Sequence, residues 1–240
     1  VRIVLTNCNT TTAMTEEIVD AARAVAAPGT TVTGLTPAWG PESAEGWLDS
    51  HLSAAAVLDT LRTYDGPPYD AVVMAGFGEH GREGVRELVD VPVVDITEAA
   101  AHLACLLGRR YAVVTTLDRA RGQIEDSLET AGVARNCAAV IGTGLGVLDL
   151  ADDPERTEAA FLAAAERAVR SGAEALVLGC AGMAGLRREL ADRLGLPVVD
   201  GVAAAVKLAE SLVTLDLTTS RVGGYAKPLA KRRTWGRPTP

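Results

Sequence analysis

Aromatic residues make up only 4% of this 240-residue chain, and no basic stretch interleaved with rings offers a stacking groove for bases. Positive charge is short as well. The 23 Lys and Arg stand against 31 Asp and Glu, a formal net charge of −8 that repels a polyphosphate backbone. Nucleic acid is therefore not an expected partner. Cysteine is scarce: the four, at positions 8, 105, 137 and 180, form no C-x-x-C pair and have no histidine pair nearby. Neither a zinc site nor a disulfide framework is expected, and no metal. The chain also lacks any uninterrupted apolar run near the ~18 residues of a membrane span, and the run Val1–Asn7 is too short for a signal peptide. A reduced, cytoplasmic protein without membrane contact is the expectation. The one basic cluster, Lys227 to Arg237, holds five basic residues and no acid and reads as a solvated, partly mobile terminus.

What is present is a globular composition, 48% hydrophobic and rich in alanine, in a chain long enough for one domain or two small ones. An internal repeat favours two. Asp70-Ala71-Val72-Val73-Met74-Ala75-Gly76-Phe77-Gly78 lies over Glu174-Ala175-Leu176-Val177-Leu178-Gly179-Cys180-Ala181-Gly182. Downstream, Pro92-Val93-Val94-Asp95 lies over Pro197-Val198-Val199-Asp200, and Ala99-Ala100 over Ala204-Ala205. Each copy is an apolar strand that breaks at glycines and re-enters a helix, so Gly76 and Cys180 occupy equivalent strand ends. A ligand between the halves would meet Cys180 on one face and, opposite it, no side chain.

Periodicity predicts strands near 2–6, 30–35, 70–75, 92–95, 110–115, 137–141, 174–179 and 197–200. Helices are predicted near 13–27, 43–63, 82–89, 98–107, 119–131, 155–171, 184–194 and 202–214. Strand–helix alternation with near-continuous Val/Ile/Leu strands implies an α/β fold of parallel sheets covered on both faces. The repeat points to two pseudosymmetric four-stranded lobes flanked by helices, with the active site in the cleft between them. The lobes are placed at 1–96 plus 205–240 and at 97–204. An eight-stranded barrel is the competing closure. In either, chemistry belongs at the carboxyl ends of the strands.

Cys180 ends a buried strand before a helix predicted to begin near Ala184. At a helix N-terminus a thiol ionises more readily, with pKa values of ~3.5–7.5 against ~8.5 unperturbed. Cys105 and Cys137 sit within apolar patterns and read as inert. Gly76-Phe77-Gly78-Glu79-His80-Gly81 spells G-x-G-x-x-G, but after the third strand, and its duplicate carries Cys180 where a pyrophosphate needs bare backbone. These glycines are better read as a turn that aims N–H groups at an anionic oxygen. Asn7, Cys8, Asn9, Thr10, Thr115 and Thr116 follow the first strands of the halves and are either ligand contacts or helix caps. His51 and His102 read as surface residues. His80 alone among the histidines is placed to reach a ligand, although a solvated loop position is the commoner finding.

Several motifs resemble the aspartate/glutamate racemase superfamily and, within it, its hydantoin and allantoin racemases. They are Gly40-Pro41 followed by Glu45-Gly46 and Asp49, Val177-Leu178-Gly179-Cys180-Ala181-Gly182-Met183, Pro197-Val198-Val199-Asp200 and Tyr225-Ala226-Lys227-Pro228. The resemblance runs nearly end to end and is most specific around Cys180. It implies a cofactor-independent isomerase and a homo-oligomer. In such enzymes one cysteine removes a proton from the carbon beside a carbonyl and a second, on the opposite face, returns one.

The second family cysteine falls on Cys180; the first falls on Gly76 and is missing. The usual Asn-Pro-Asn is here Asn7-Cys8-Asn9, and the usual Phe-Gly-Asp-Pro-Gly is Phe77-Gly78-Glu79-His80-Gly81. Two-base racemisation needs a proton carrier on each face, so Cys8 and His80 become candidate substitutes. The resemblance thus implies Cys180 as acid and base, and Asn9, Thr10, Thr115 and Thr116 as groups that orient a hydantoin- or allantoin-like small molecule. Backbone N–H groups around Gly76, Phe77 and Gly78 and around Ala181 and Gly182 would hold the enolate. Two alternatives stay open: a one-cysteine decarboxylase resembling arylmalonate decarboxylase, and an impaired ligand-binding homologue or engineered variant.

Overall fold

The segments Ala71-Val72-Val73-Met74 and Ala175-Leu176-Val177-Leu178 are buried at every position, as strands inside a parallel sheet covered on both faces must be. In the computed structural model, which describes residues 1–150 and 152–235, they belong to two separate four-stranded parallel sheets. The first half runs β1 (Arg2–Thr6), α1 (Thr12–Val25), β2 (Thr31–Leu35), α2 (Trp47–Arg62), β3 (Ala71–Met74), α3 (Arg82–Leu88), β4 (Val93–Asp95) and α4 (Ile96–Leu107). The second runs β5 (Tyr111–Thr115), α5 (Arg121–Thr130), β6 (Cys137–Gly142), α6 (Pro154–Arg170), β7 (Ala175–Leu178), α7 (Arg187–Leu194), β8 (Val198–Asp200) and α8 (Gly201–Thr214). Strand orders are β2-β1-β3-β4 and β6-β5-β7-β8, the same permutation twice, which replaces the barrel alternative. At the edge, β2 exposes Thr31 and Thr33 around buried Val32, the alternation of a strand covered on one face.

The last helix of each half crosses over. Helix α4 lies against β5, β7 and β8, and α8 lies against β3 and β4, while the two helices pack on each other. Their alanine runs permit this approach. A Cβ on Gly201 would lie 3.0 Å from the Ile96 carbonyl oxygen, so the two helix starts meet where only glycine fits without a shift. One buried cluster therefore runs through both sheets, from Leu5 and Val73 through Ala100 and Ala205 to Val113 and Val177.

Several predicted boundaries move for local reasons. Asp95 accepts N–H bonds from Thr97 and Glu98, so α4 begins at Ile96 rather than 98. Helix α2 begins at Trp47, after Gly46, rather than at 43. The helix expected over 184–194 is a 3-10 segment, Ala181–Leu186, followed by α7 from Arg187, in keeping with the low helix propensity of the two glycines in that stretch. The basic tail is not wholly solvated. Arg221 and Lys227 pair with Asp90 at 3.1 and 2.5 Å, and the Tyr225 hydroxyl donates to Glu83 at 2.5 Å. Lys231, Arg232 and Arg233 are exposed, and Arg237 lies outside the described residues. Among the described residues no helix is long and apolar enough to cross a membrane, and no cluster of three His, Cys, Asp or Glu is arranged to hold a metal.

Candidate active site

In each sheet the order of strand addition reverses between its two central strands, β1/β3 and β5/β7, which opens a crevice at their carboxyl ends. The four segments leaving those ends converge. Asn7, Cys8 and Asn9 follow β1; Ala75, Gly76 and Phe77 follow β3; Thr115 closes β5 ahead of Thr116; Gly179, Cys180 and Ala181 follow β7. All of them line one cavity between the lobes. His80 and Gln123 line it too, with Met14, Ala44 and Val147 among its apolar walls. None of the described lining residues is Asp, Glu, Lys or Arg.

Strand register explains which residues face each other. Thr6 pairs with Met74, so continuing two residues further sets Cys8 beside Gly76. Val114 pairs with Leu178, and the same extension sets Thr116 beside Cys180. A Cβ built on Gly76 would collide with His80 Cδ2 and lie 2.7 Å from Cys8 Cβ and 2.9 Å from Cys8 Sγ. The room that a side chain at 76 would need is thus filled by Cys8 and His80. The surface opposite Cys180, expected to be bare, carries a second sulfur.

Cys8 is held by its neighbours. The Asn7 carboxamide oxygen accepts the Cys8 N–H at 2.7 Å, and its amide group donates to Asn9 Oδ1 and to Thr15 Oγ1, each at 3.0 Å. Burial, and then the charge of nearby Cys180, push the Cys8 thiol up to about 12, so at neutral pH it carries its proton. Asn9 uses Oδ1 for the Thr11 N–H, and the Thr115 hydroxyl donates to the Gly179 carbonyl at 3.0 Å, fixing the strand end that bears Cys180.

His80 corrects the expectation of a solvated loop histidine: it is buried, with Nε2 3.2 Å from the Phe77 carbonyl. Burial lowers its pKa below the ordinary histidine value, so the ring stays neutral. Its Nδ1 has no hydrogen-bond partner among the described residues.

Two other expected contacts sit elsewhere. Thr10 is not in the cavity wall; its N–H and hydroxyl both donate to the Pro41 carbonyl, tying two loops together. Gly78 lies behind the wall at φ +115°, and its N–H is given to Thr97 Oγ1 at 2.8 Å, so it is not aimed at a ligand. Gly182 falls within the 3-10 segment after Cys180, where an α-helix N-terminus was expected.

Gln123 was missed by the sequence reading. It lies on α5 beside the apolar stripe Ala120, Ile124 and Leu128, and with Ser127 one turn on it puts polar groups onto a buried face. Polar residues bordering an apolar helical stripe were the available signal.

A sequence profile described as Asp/Glu/Hydantoin racemase matches residues 3–209. The chain is 39% identical to the hydantoin racemase of Paenarthrobacter aurescens over 233 residues, 96% of this chain and 99% of that one. It is similar to the crystal structure of allantoin racemase from Pseudomonas fluorescens, with 53% identity, a TM-score of 0.96, and 98% and 100% of the two chains covered. Arylmalonate decarboxylase, at 19% identity and a TM-score of 0.63 over 89% of this chain and 92% of that one, shares the fold.

Proposed function

Because the chain belongs to the Asp/Glu/Hydantoin racemase family, we propose that it is a cofactor-independent racemase of hydantoin- or allantoin-like rings in which Cys8 and Cys180 form the acid–base pair. One observation carries the assignment: the Cys8 side chain fills the room that a residue at Gly76 would use, in a cavity whose other lobe presents Cys180. The carbon acid lies between the two sulfurs. The Cys180 thiolate takes the α-hydrogen as a proton from one face, leaving an enolate, and the Cys8 thiol gives its own proton to the other face. The C–H bond broken and the C–H bond formed balance the S–H bond formed and the S–H bond broken. Negative charge moves from one sulfur to the other, and exchange with solvent resets the pair. Burial and then the Cys180 charge oppose ionisation of Cys8, so Cys8 keeps its proton to give.

Backbone N–H groups around Phe77 and Ala181 hold the developing oxyanion, and Asn9, Thr115 and Thr116 bound the ring. His80, neutral and hydrogen-bonded to the backbone, fills space beside Cys8 rather than carrying charge. The uncharged wall suits a neutral ring better than an ionised amino acid. The lobes are assigned to 1–96 with 205–240 and to 97–204, supported by the sheets that α8 and α4 cover; residues 236–240 lie outside the described chain. The same reading takes the enzyme as a homo-oligomer, as the family resemblance implies, and as cytoplasmic, from its cysteine usage.

Incubating each enantiomer of a 5-substituted hydantoin and of allantoin in D2O tests the assignment. Optical rotation should decay faster than in buffer alone, with deuterium appearing first in the enantiomer formed. Rotation and α-hydrogen left at the buffer rate for every ring, with release of carbon dioxide from a disubstituted malonate, would instead identify a decarboxylase.

A further inference from the structure

We infer that Gln123 is the residue that recognises the ring as a cyclic ureide, by pairing its carboxamide with an N–H/C=O edge of the substrate; this rests on the racemase reading above. Gln123 is 1% exposed and lines the same cavity as Cys8 and Cys180. Its Oε1 is buried and accepts no hydrogen bond among the described residues. A buried carbonyl without a donor is costly, and at a cavity wall the missing donor is supplied by the occupant.

The carboxamide is also held in place. It packs over Gly78, where a Cβ would lie 3.4 Å from Gln123 Cδ and 3.5 Å from Nε2. The structural work at Gly78 is done by others: Ser127 donates to the Gly78 carbonyl at 3.2 Å, and Arg82 Nη1 donates to Ser127 Oγ at 3.3 Å. Gln123 is thus a polar helix side chain, one turn from a structural clamp, whose acceptor has no partner among the described residues.

The chemistry of the pairing decides the ligand class. A five-membered ureide locks its amides cis, so an N–H and an adjacent C=O point the same way from one ring edge. A carboxamide presents the complementary C=O and N–H, and the two close a pair of antiparallel hydrogen bonds. A carboxylate offers two acceptors and no donor, so it cannot close this pair of antiparallel bonds.

Calorimetric titration of the protein with hydantoin and with 1,3-dimethylhydantoin tests this without relying on turnover, because neither probe has a stereocentre. Hydantoin should bind roughly tenfold or more tightly than the dimethylated ring. In Gln123→Met, of similar volume, that preference should collapse to about threefold or less, which separates the lost hydrogen bonds from the bulk of the methyl groups. Gln123→Glu keeps an acceptor and removes the donor, so hydantoin should weaken while its preference over the dimethylated ring survives. Should Gln123→Met fail to melt cooperatively, Gln123→Glu decides alone: hydantoin binding as tight as in the parent contradicts the inference. An undiminished preference in Gln123→Met, or no hydantoin binding to the parent protein, also overturns it. Hydantoin binding without α-hydrogen exchange on 5-substituted rings overturns the racemase reading and leaves the Gln123 assignment standing.

Discussion

Cys8 and Gly76 exchange a single side chain between two adjacent strand ends. With Cys8 Sγ 2.9 Å from where a Cβ at 76 would stand, the two positions cannot both carry a cysteine without displacement. Gly76→Cys alone should therefore lower stability by roughly 1–3 kcal/mol, the usual cost of overpacking, and leave activity impaired despite adding a thiol. Combined with Cys8→Gly, which removes both Cys8 atoms and leaves only the His80 ring to shift, it should regain turnover and part of the lost stability. The measurements are a thermal melt and a polarimetric rate on the four members of the cycle, and additive effects would show that the two positions do not share space. The departures at both positions were visible in the sequence. That they compensate was not, because only the β1/β3 register brings two distant segments together.

At the scale of elements, Asp95 shows how an end of β4 supports the glycine loop. Its Oδ1 caps α4 through Thr97 and Glu98, Thr97 Oγ1 accepts the Gly78 N–H, and Arg82 stands 3.8 Å from the carboxylate with Glu83 on its other side. Burial pushes the Asp95 carboxyl up to about 7, against the pull of Arg82 and the two backbone N–H groups. A carboxyl whose pKa is higher folded than unfolded contributes stability that is complete below about pH 4 and is lost as pH rises toward 7. Relative to Asp95→Asn, the parent protein should lose stability across that window, by a few kcal/mol at most at about 1.4 kcal/mol per unit. Parallel denaturation midpoints for the two from pH 4 to 8 would refute this. The strands were legible because central parallel strands are apolar at every position, and α4 differs only in its capped first turn. The segment after Cys180 was misread because its spacing permits a helix that its glycines do not favour.

At the scale of the whole molecule, one strand permutation used twice builds a cleft with a sulfur from each half, and crossing helices α4 and α8 lock the halves through a shared core. The repeat made this architecture readable before any coordinates. Less was readable where contacts join segments far apart in sequence: the burial of His80, the approach of Gln123 to the cavity, and the anchoring of Arg221, Tyr225 and Lys227 on α3 and the loop after it. In the proposed mechanism two sulfurs, one per lobe, work on opposite faces of one carbon. The direct measurement is α-hydrogen exchange in D2O, enantiomer by enantiomer, in Cys8→Ala and Cys180→Ala. Each variant should retain one base, washing deuterium into one enantiomer with little racemisation, and the two variants should exchange opposite enantiomers. Racemisation by Cys8→Ala at the parent rate, or exchange of the same enantiomer by both, would contradict it.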